Sequence, residues 1–137
     1  MKAIAMLFAT MLCALSAHAQ IAVIANQSVA GNAASISKLK DLYTLATSEQ
    51  GGKKVKLLDY QTDTPEKTAF YEAIDVAPAA ARKLWLKAKL TGSGAPPESV
   101  SSEDEMLARV ESTPGAIGYV STAKVKGNVK VLAKINE

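Results

Sequence analysis

Residues 55–66 read VKLLDYQTDTPE. Val55 to Tyr60 has the apolar and β-prone residues of a strand, and Thr64-Pro65-Glu66 looks like a helix start. Thr64 is an N-cap candidate. Pro65 then falls at the first helical position, where its missing N–H costs nothing. A strand running into a capped helix is half of a βαβ unit, so this stretch predicts an α/β sheet. It also predicts where a ligand would sit. In open α/β sheets, ligands collect beyond the carboxyl ends of strands, and helix N-termini favour anions. The loop Tyr60-Gln61-Thr62-Asp63-Thr64 occupies that place, with the Thr62 and Thr64 hydroxyls as added donors. The competing reading is that Thr64 only caps the helix. Residue physics alone leaves the two evenly matched.

The flanking segments extend the pattern. On the N-terminal side, Ile21 to Ala25 (IAVIA) reads as a strand buried on both faces. After a small-residue loop, Ser35 caps a helix carrying Leu39, Leu42 and Tyr43 and running to about Ala46, and Gly51-Gly52 marks a turn. On the C-terminal side, Ala69, Phe70, Ala73 and Ile74 give the second helix its apolar face, and Val76-Ala77 ends it. Pro78 opens a third helix, with Ala81, Leu84, Trp85 and Ala88 inward and Arg82, Lys83, Lys87 and Lys89 outward. Thr91 to Pro97 reads as a loop. Ser102 and Glu105 form a capping box for a fourth helix, which Thr113-Pro114-Gly115 stops. Ala116–Val120 and Val129–Leu132 complete the strands. The expected architecture is a three-layer open mixed sheet with helices on both faces.

The chain has 137 residues, 48% apolar and 21% charged, with net charge +3. The apolar share excludes wholesale disorder, and the small charge argues against a nucleic-acid partner. Met1 and Lys2, the apolar run Ala3–Leu15 and the triplet Ala17-His18-Ala19 fit a secretory signal peptide over residues 1–19, cut before Gln20. A periplasmic location follows, with residues 20–137 as a single lobe and no membrane span after cleavage. Cleavage would also remove the sole cysteine, Cys13, and the sole histidine, His18. The remainder then has no disulfide, thiolate, imidazole base or Cys/His metal site, so no cofactor or metal is expected.

Other clusters read as structure. Glu103-Asp104-Glu105 sits where a helix dipole favours acids. Asp59 and Asp63 lack the spacing of a calcium loop and read as solvated loop residues. Ser35 and Lys38 spell S-x-x-K, but the companion motifs S-D-N and K-T-G are missing. Gly92-Ser93-Gly94 has neither phosphate-loop pattern around it. No catalytic residue is assigned.

Several segments, in order, resemble the phosphate-binding periplasmic proteins of ABC transporters, in one lobe of their type II periplasmic-binding fold. They are Leu39-Lys40-Asp41-Leu42-Tyr43, Val55 to Asp59, Ala69-Phe70-Tyr71, Trp85 followed by Thr91-Gly92-Ser93-Gly94, and Thr113-Pro114-Gly115-Ala116-Ile117-Gly118-Tyr119-Val120. The resemblance implies a non-catalytic solute-binding-like protein whose ligand is phosphate or another small oxyanion. It also implies losses. The family's phosphate-loop Arg falls at or near Tyr60, and its Ser-Gly-Thr falls on Thr64-Pro65-Glu66. A lost charged hydrogen bond costs about 1.5–3 kcal/mol, and each 1.4 kcal/mol is about tenfold in affinity. The residual site implied is Tyr60, Thr62, Thr64 and Glu66, with Thr91 and Gly92 on a neighbouring loop. Binding would be weak unless a protein partner or a second copy completed the cleft. The rival reading is an interaction or sensor-accessory module that has lost its ligand.

Overall fold

Strands and helices alternate through residues 20–136, the part of the chain that the computed structural model describes; the expected signal peptide lies outside it. The order is β1 (Ile21–Asn26), α1 (Ile36–Tyr43), β2 (Glu49–Gln50), β3 (Lys53–Lys54), β4 (Lys56–Tyr60), α2 (Pro65–Ala73), α3 (Pro78–Thr91), β5 (Glu98–Val100), α4 (Glu103–Ser112), β6 (Ala116–Ser121) and β7 (Val129–Ile135). Five strands form one mixed sheet in the order β5-β4-β6-β1-β7. β4 runs parallel to β5 and β6, whereas β1 pairs antiparallel with β6 and β7. β2 and β3 form a separate hairpin, turned by Gly51 and Gly52 at φ 57° and 79°.

Alternation along β6 shows the layers. A side chain at Gly118 would point at Met106 and Val110 of α4. Tyr119, one residue on, packs against Tyr43 of α1 and stacks on Phe70 of α2 at 4.0 Å. Successive side chains leave opposite faces of a sheet, so α4 covers one face and α1 and α2 the other. α3 joins the second layer, where Trp85 Nε1 donates to the Tyr43 carbonyl at 2.7 Å. Ile21 to Ala25 of β1 are fully buried, as a strand covered on both faces should be. The three-layer mixed α/β architecture is the one the sequence predicts.

The N-caps also follow expectation, but the α4 capping box does not close as read: the Glu105 carboxylate accepts from Ser101 N–H and Oγ instead of the Ser102 N–H. Ser35, Thr64 and Ser102 accept from the N–H groups of Lys38, Lys67 and Glu105. Two helices end earlier than expected. α1 stops at Tyr43, not Ala46, because Leu45 turns left-handed at φ 61°. Leu45 and Ala46 N–H then close back on the carbonyls of Leu42 and Asp41. α2 stops at Ala73 by the same device, with Asp75 at φ 57° and N–H bonds from Asp75 and Val76 to Glu72 and Tyr71. Both are Schellman endings without the usual glycine, so neither carries the sequence signal. α3 has the glycine form at Gly92, and Thr91 belongs to the helix rather than to the loop. Leu84 is a correction: it lies 43% exposed, not inward, and α3 rests on Ala81, Trp85 and Ala88. The edge strand β5 (Glu98–Val100) lies beyond the expected Thr91–Pro97 loop and has no alternating pattern to betray it.

Gly118 marks the closest approach of α4 to the sheet. A Cβ there would run into Met106 Sδ and lie 3.2 Å from Val110 Cγ2. Gly118→Ala is expected to cost about 1–3 kcal/mol by overpacking, measured as a lower urea midpoint at unchanged m-value. A neutral result would mean α4 packs farther away.

Candidate functional site

β4 delivers Asp59 and Tyr60 to its carboxyl end, and Thr64 starts α2 four residues later. Here the structure corrects the reading of Asp59 as a solvated loop residue: it is 3% exposed. Its carboxylate accepts from the Tyr71 hydroxyl at 2.7 Å, the Tyr119 hydroxyl at 2.5 Å and the Tyr60 N–H at 2.8 Å. Lys67 Nζ lies 3.8 Å from the same carboxylate and donates to the Tyr60 carbonyl at 3.0 Å. Asp63, exposed as expected, pairs loosely with Lys67 at 3.9 Å. A cation thus sits under the loop, held by two acids and a carbonyl. Lys67 escaped sequence reasoning, although Asp63 and Lys67 stand at i,i+4 spacing, which places them on one face.

Tyr60 does not face a ligand. Its ring is buried against Tyr119, and its hydroxyl donates to the Tyr119 carbonyl at 2.7 Å. Burial pushes its pKa far above the ordinary tyrosine value, with the Glu103, Glu66 and Asp59 carboxylates adding to the shift. Burial first and Asp59 second raise Tyr71 and Tyr119 likewise. Tyr43, whose hydroxyl donates to the Leu58 carbonyl, shows the same direction for the same reason.

Thr62 is exposed beside the N-terminus of α2, and Glu66 is half-buried in its first turn. Lys67 N–H is taken by Thr64 Oγ1 and Thr68 N–H by the Thr64 carbonyl. Pro65 has no N–H. Glu66 N–H is therefore the first-turn donor left for an anion, and it comes with its own carboxylate. Thr91 and Gly92 belong to the other end of the sheet. Thr91 Oγ1 bonds Ser93 Oγ at 2.9 Å. Ser93 in turn lines a cavity of about 420 Å³ with Leu45, Lys56 and Glu98, where β4 and β5 begin. Thr91 also ends a helix, where exposed carbonyls repel an anion. The structure joins Thr62, Thr64 and Glu66 but not Thr91 and Gly92.

Glu103 and Glu105 of α4 have structural partners. Glu103 accepts from Ser121 N–H and Oγ, and Glu105 from Ser101 N–H and Oγ. Those Ser101 bonds lower the Glu105 pKa. Among the described residues no group of three His, Cys, Asp or Glu side chains is arranged to hold a metal ion, and no helix is long and apolar enough to cross a membrane.

No family model and no curated protein sequence matches the chain. Solved structures do. A Clostridium perfringens protein assigned as a phosphate ABC transporter substrate-binding protein, with phosphate bound, matches at TM-score 0.68 and 16% identity, over 83% of this chain and 45% of that one. An ABC-type phosphate transport receptor from Vibrio cholerae matches at TM-score 0.63 and 19% identity, over 83% of this chain and 46% of that one. A protein from Planctomyces limnophilus, described as a phosphate-binding candidate, matches at TM-score 0.57 and 13% identity, over 84% and 42%. At these identities the likeness establishes the fold. The chain spans less than half the length of each of these three proteins, which is one lobe.

Proposed function

We propose that this chain is a non-catalytic solute-binding-type lobe of the phosphate class that keeps a weak oxyanion contact at the β4–α2 loop. The observation that carries this reading is the capped N-terminus of α2 at the carboxyl end of β4, a strand flanked by two parallel neighbours. It lies in a fold shared with a protein solved with phosphate bound. Glu66 N–H and the Thr62 and Thr64 hydroxyls are the donors, while the Lys67 cation beneath the loop is already taken by Asp59, Asp63 and the Tyr60 carbonyl. Export through a cleaved signal peptide to the periplasm belongs to the same reading.

Calorimetric titration with phosphate and with sulfate at low salt tests it. Binding in the millimolar range is expected, about −4 kcal/mol. Removing the two acids that oppose an anion here, by Glu66→Gln with Asp63→Asn, should tighten it by roughly three- to tenfold, since each charge near a surface site is worth about 1 kcal/mol or less. Heat at no concentration up to tens of millimolar (a limit on the order of 2 kcal/mol of binding), in either form, sinks the reading.

A second reading has its own support. Pro65 and the inward Tyr60 leave little of an anion cradle, which fits a lobe that now serves as an interaction or sensor-accessory module, completed by a protein partner or a second copy. Sedimentation analysis separates the two: association that buries the β4–α2 loop and survives saturating phosphate favours the module.

A further inference from the structure

α3 is held to the lobe by one face and presents an unusual outer one. Ala81, Trp85 and Ala88 are the inner contacts. On the opposite side Leu86 and Leu90 are 58% and 77% exposed, and Ala79 lies between them, also exposed. At 100° per residue these three form a stripe about 40° wide. Arg82 and Lys89 border it on one side, Lys83 and Lys87 on the other, and all four are exposed. The helix contains no acid, and no ion pair among the described residues involves any of these four cations. A narrow apolar stripe with cations along both borders fits a lipid surface: leucines enter the acyl boundary while the basic heads reach anionic phosphates. A second copy fits poorly, because four cations would meet four cations.

We infer that the outer face of α3 docks on an anionic phospholipid membrane. The lobe lies on the bilayer without crossing it, with its sheet and the β4–α2 loop still folded. This goes beyond the solute-binding reading and does not depend on it.

The test uses the chain beginning at Gln20, since residues 20–136 hold the described core and the apolar run Ala3–Leu15 would partition by itself. Co-sedimentation is measured with phosphatidylcholine vesicles, with and without phosphatidylglycerol. Binding only to the anionic vesicles, weakened by salt, is expected. Lys83→Gln with Lys87→Gln should lower the partition coefficient about tenfold or more, and Leu86→Ser with Leu90→Ser, which keeps every charge, should do the same. Trp85 is the chain's sole tryptophan and faces inward, so its emission should not move on binding. Four outcomes overturn the inference. They are binding without lipid-charge preference, binding indifferent to the leucine pair, a shifted Trp85 emission that reports unfolding onto the lipid, and self-association or capture of an acidic peptide through Leu86 while vesicles are ignored.

Discussion

Asp59→Ala should abolish stable folding. The substitution removes an acceptor shared by the Tyr71 and Tyr119 hydroxyls and leaves the Lys67 ammonium without its buried counter-charge. Breaking a buried ion pair from one side costs about 3–5 kcal/mol, and each stranded hydroxyl adds about 1–3 kcal/mol. Domains of this size are stable by about 5–15 kcal/mol in total, so most of the reserve is consumed. Graded variants make the claim readable even where Asp59→Ala fails to express. Tyr71→Phe removes one donor and spares the charge pair, and should cost about 1 kcal/mol. Lys67→Met leaves Asp59 its two hydroxyls and one N–H, and should cost more than Tyr71→Phe. Urea denaturation followed by circular dichroism orders the three. If Asp59→Ala falls within about 1 kcal/mol of the parent, below even a single unpaired group, the cluster does not exist as described.

That cluster also marks the limit of what the sequence disclosed. The strands β1, β4 and β6, the three capped starts and the layer order were legible because each rests on a local signal: an unbroken apolar run, or Ser or Thr ahead of a helical period. The ends of α1 and α2 were not, because Leu45 and Asp75 take the left-handed position that glycine normally announces. Asp59 was misjudged for a related reason. A carboxylate at a strand end looks solvated unless its partners are known, and these arrive from 12 and 60 positions away. The strand pattern of Val55–Tyr60 and the Thr64-Pro65 helix start placed the β4–α2 loop on the sheet independently of any likeness to phosphate-binding proteins. The likeness put Thr91 and Gly92 on a neighbouring loop of the same site, although β5 runs parallel to β4 and the chain leaving α3 must reach the end of the sheet where both strands begin. Tyr60 shows the same gap between position and direction: it stands at the mouth of the expected site, yet its hydroxyl is spent on the Tyr119 carbonyl.

Raising the pH should unfold the lobe in one steep step. The chain has four tyrosines, Tyr43, Tyr60, Tyr71 and Tyr119, and all are at most 3% exposed. Each pKa is raised above the ordinary tyrosine value of about 10, with burial the largest cause. A raised pKa keeps the proton on the folded state. Stability is therefore intact below pH 10, where folded and unfolded chains are both protonated, and falls as the pH rises above it, where only the unfolded chain ionises. Each such group contributes about 1.4 kcal/mol per pH unit. Four together give about 5 kcal/mol per unit, enough to exhaust a typical domain within about one to three units. Tyrosinate absorbance should thus stay flat through pH 10, then appear together with the loss of far-ultraviolet ellipticity. Tyr60→Phe should make the transition shallower by one proton. Gradual ionisation near pH 10 with native ellipticity retained would show that solvent reaches these hydroxyls. The aromatic layer between the sheet and α1 and α2 could not then be packed as found, and neither could the Asp59 carboxylate that two of them enclose.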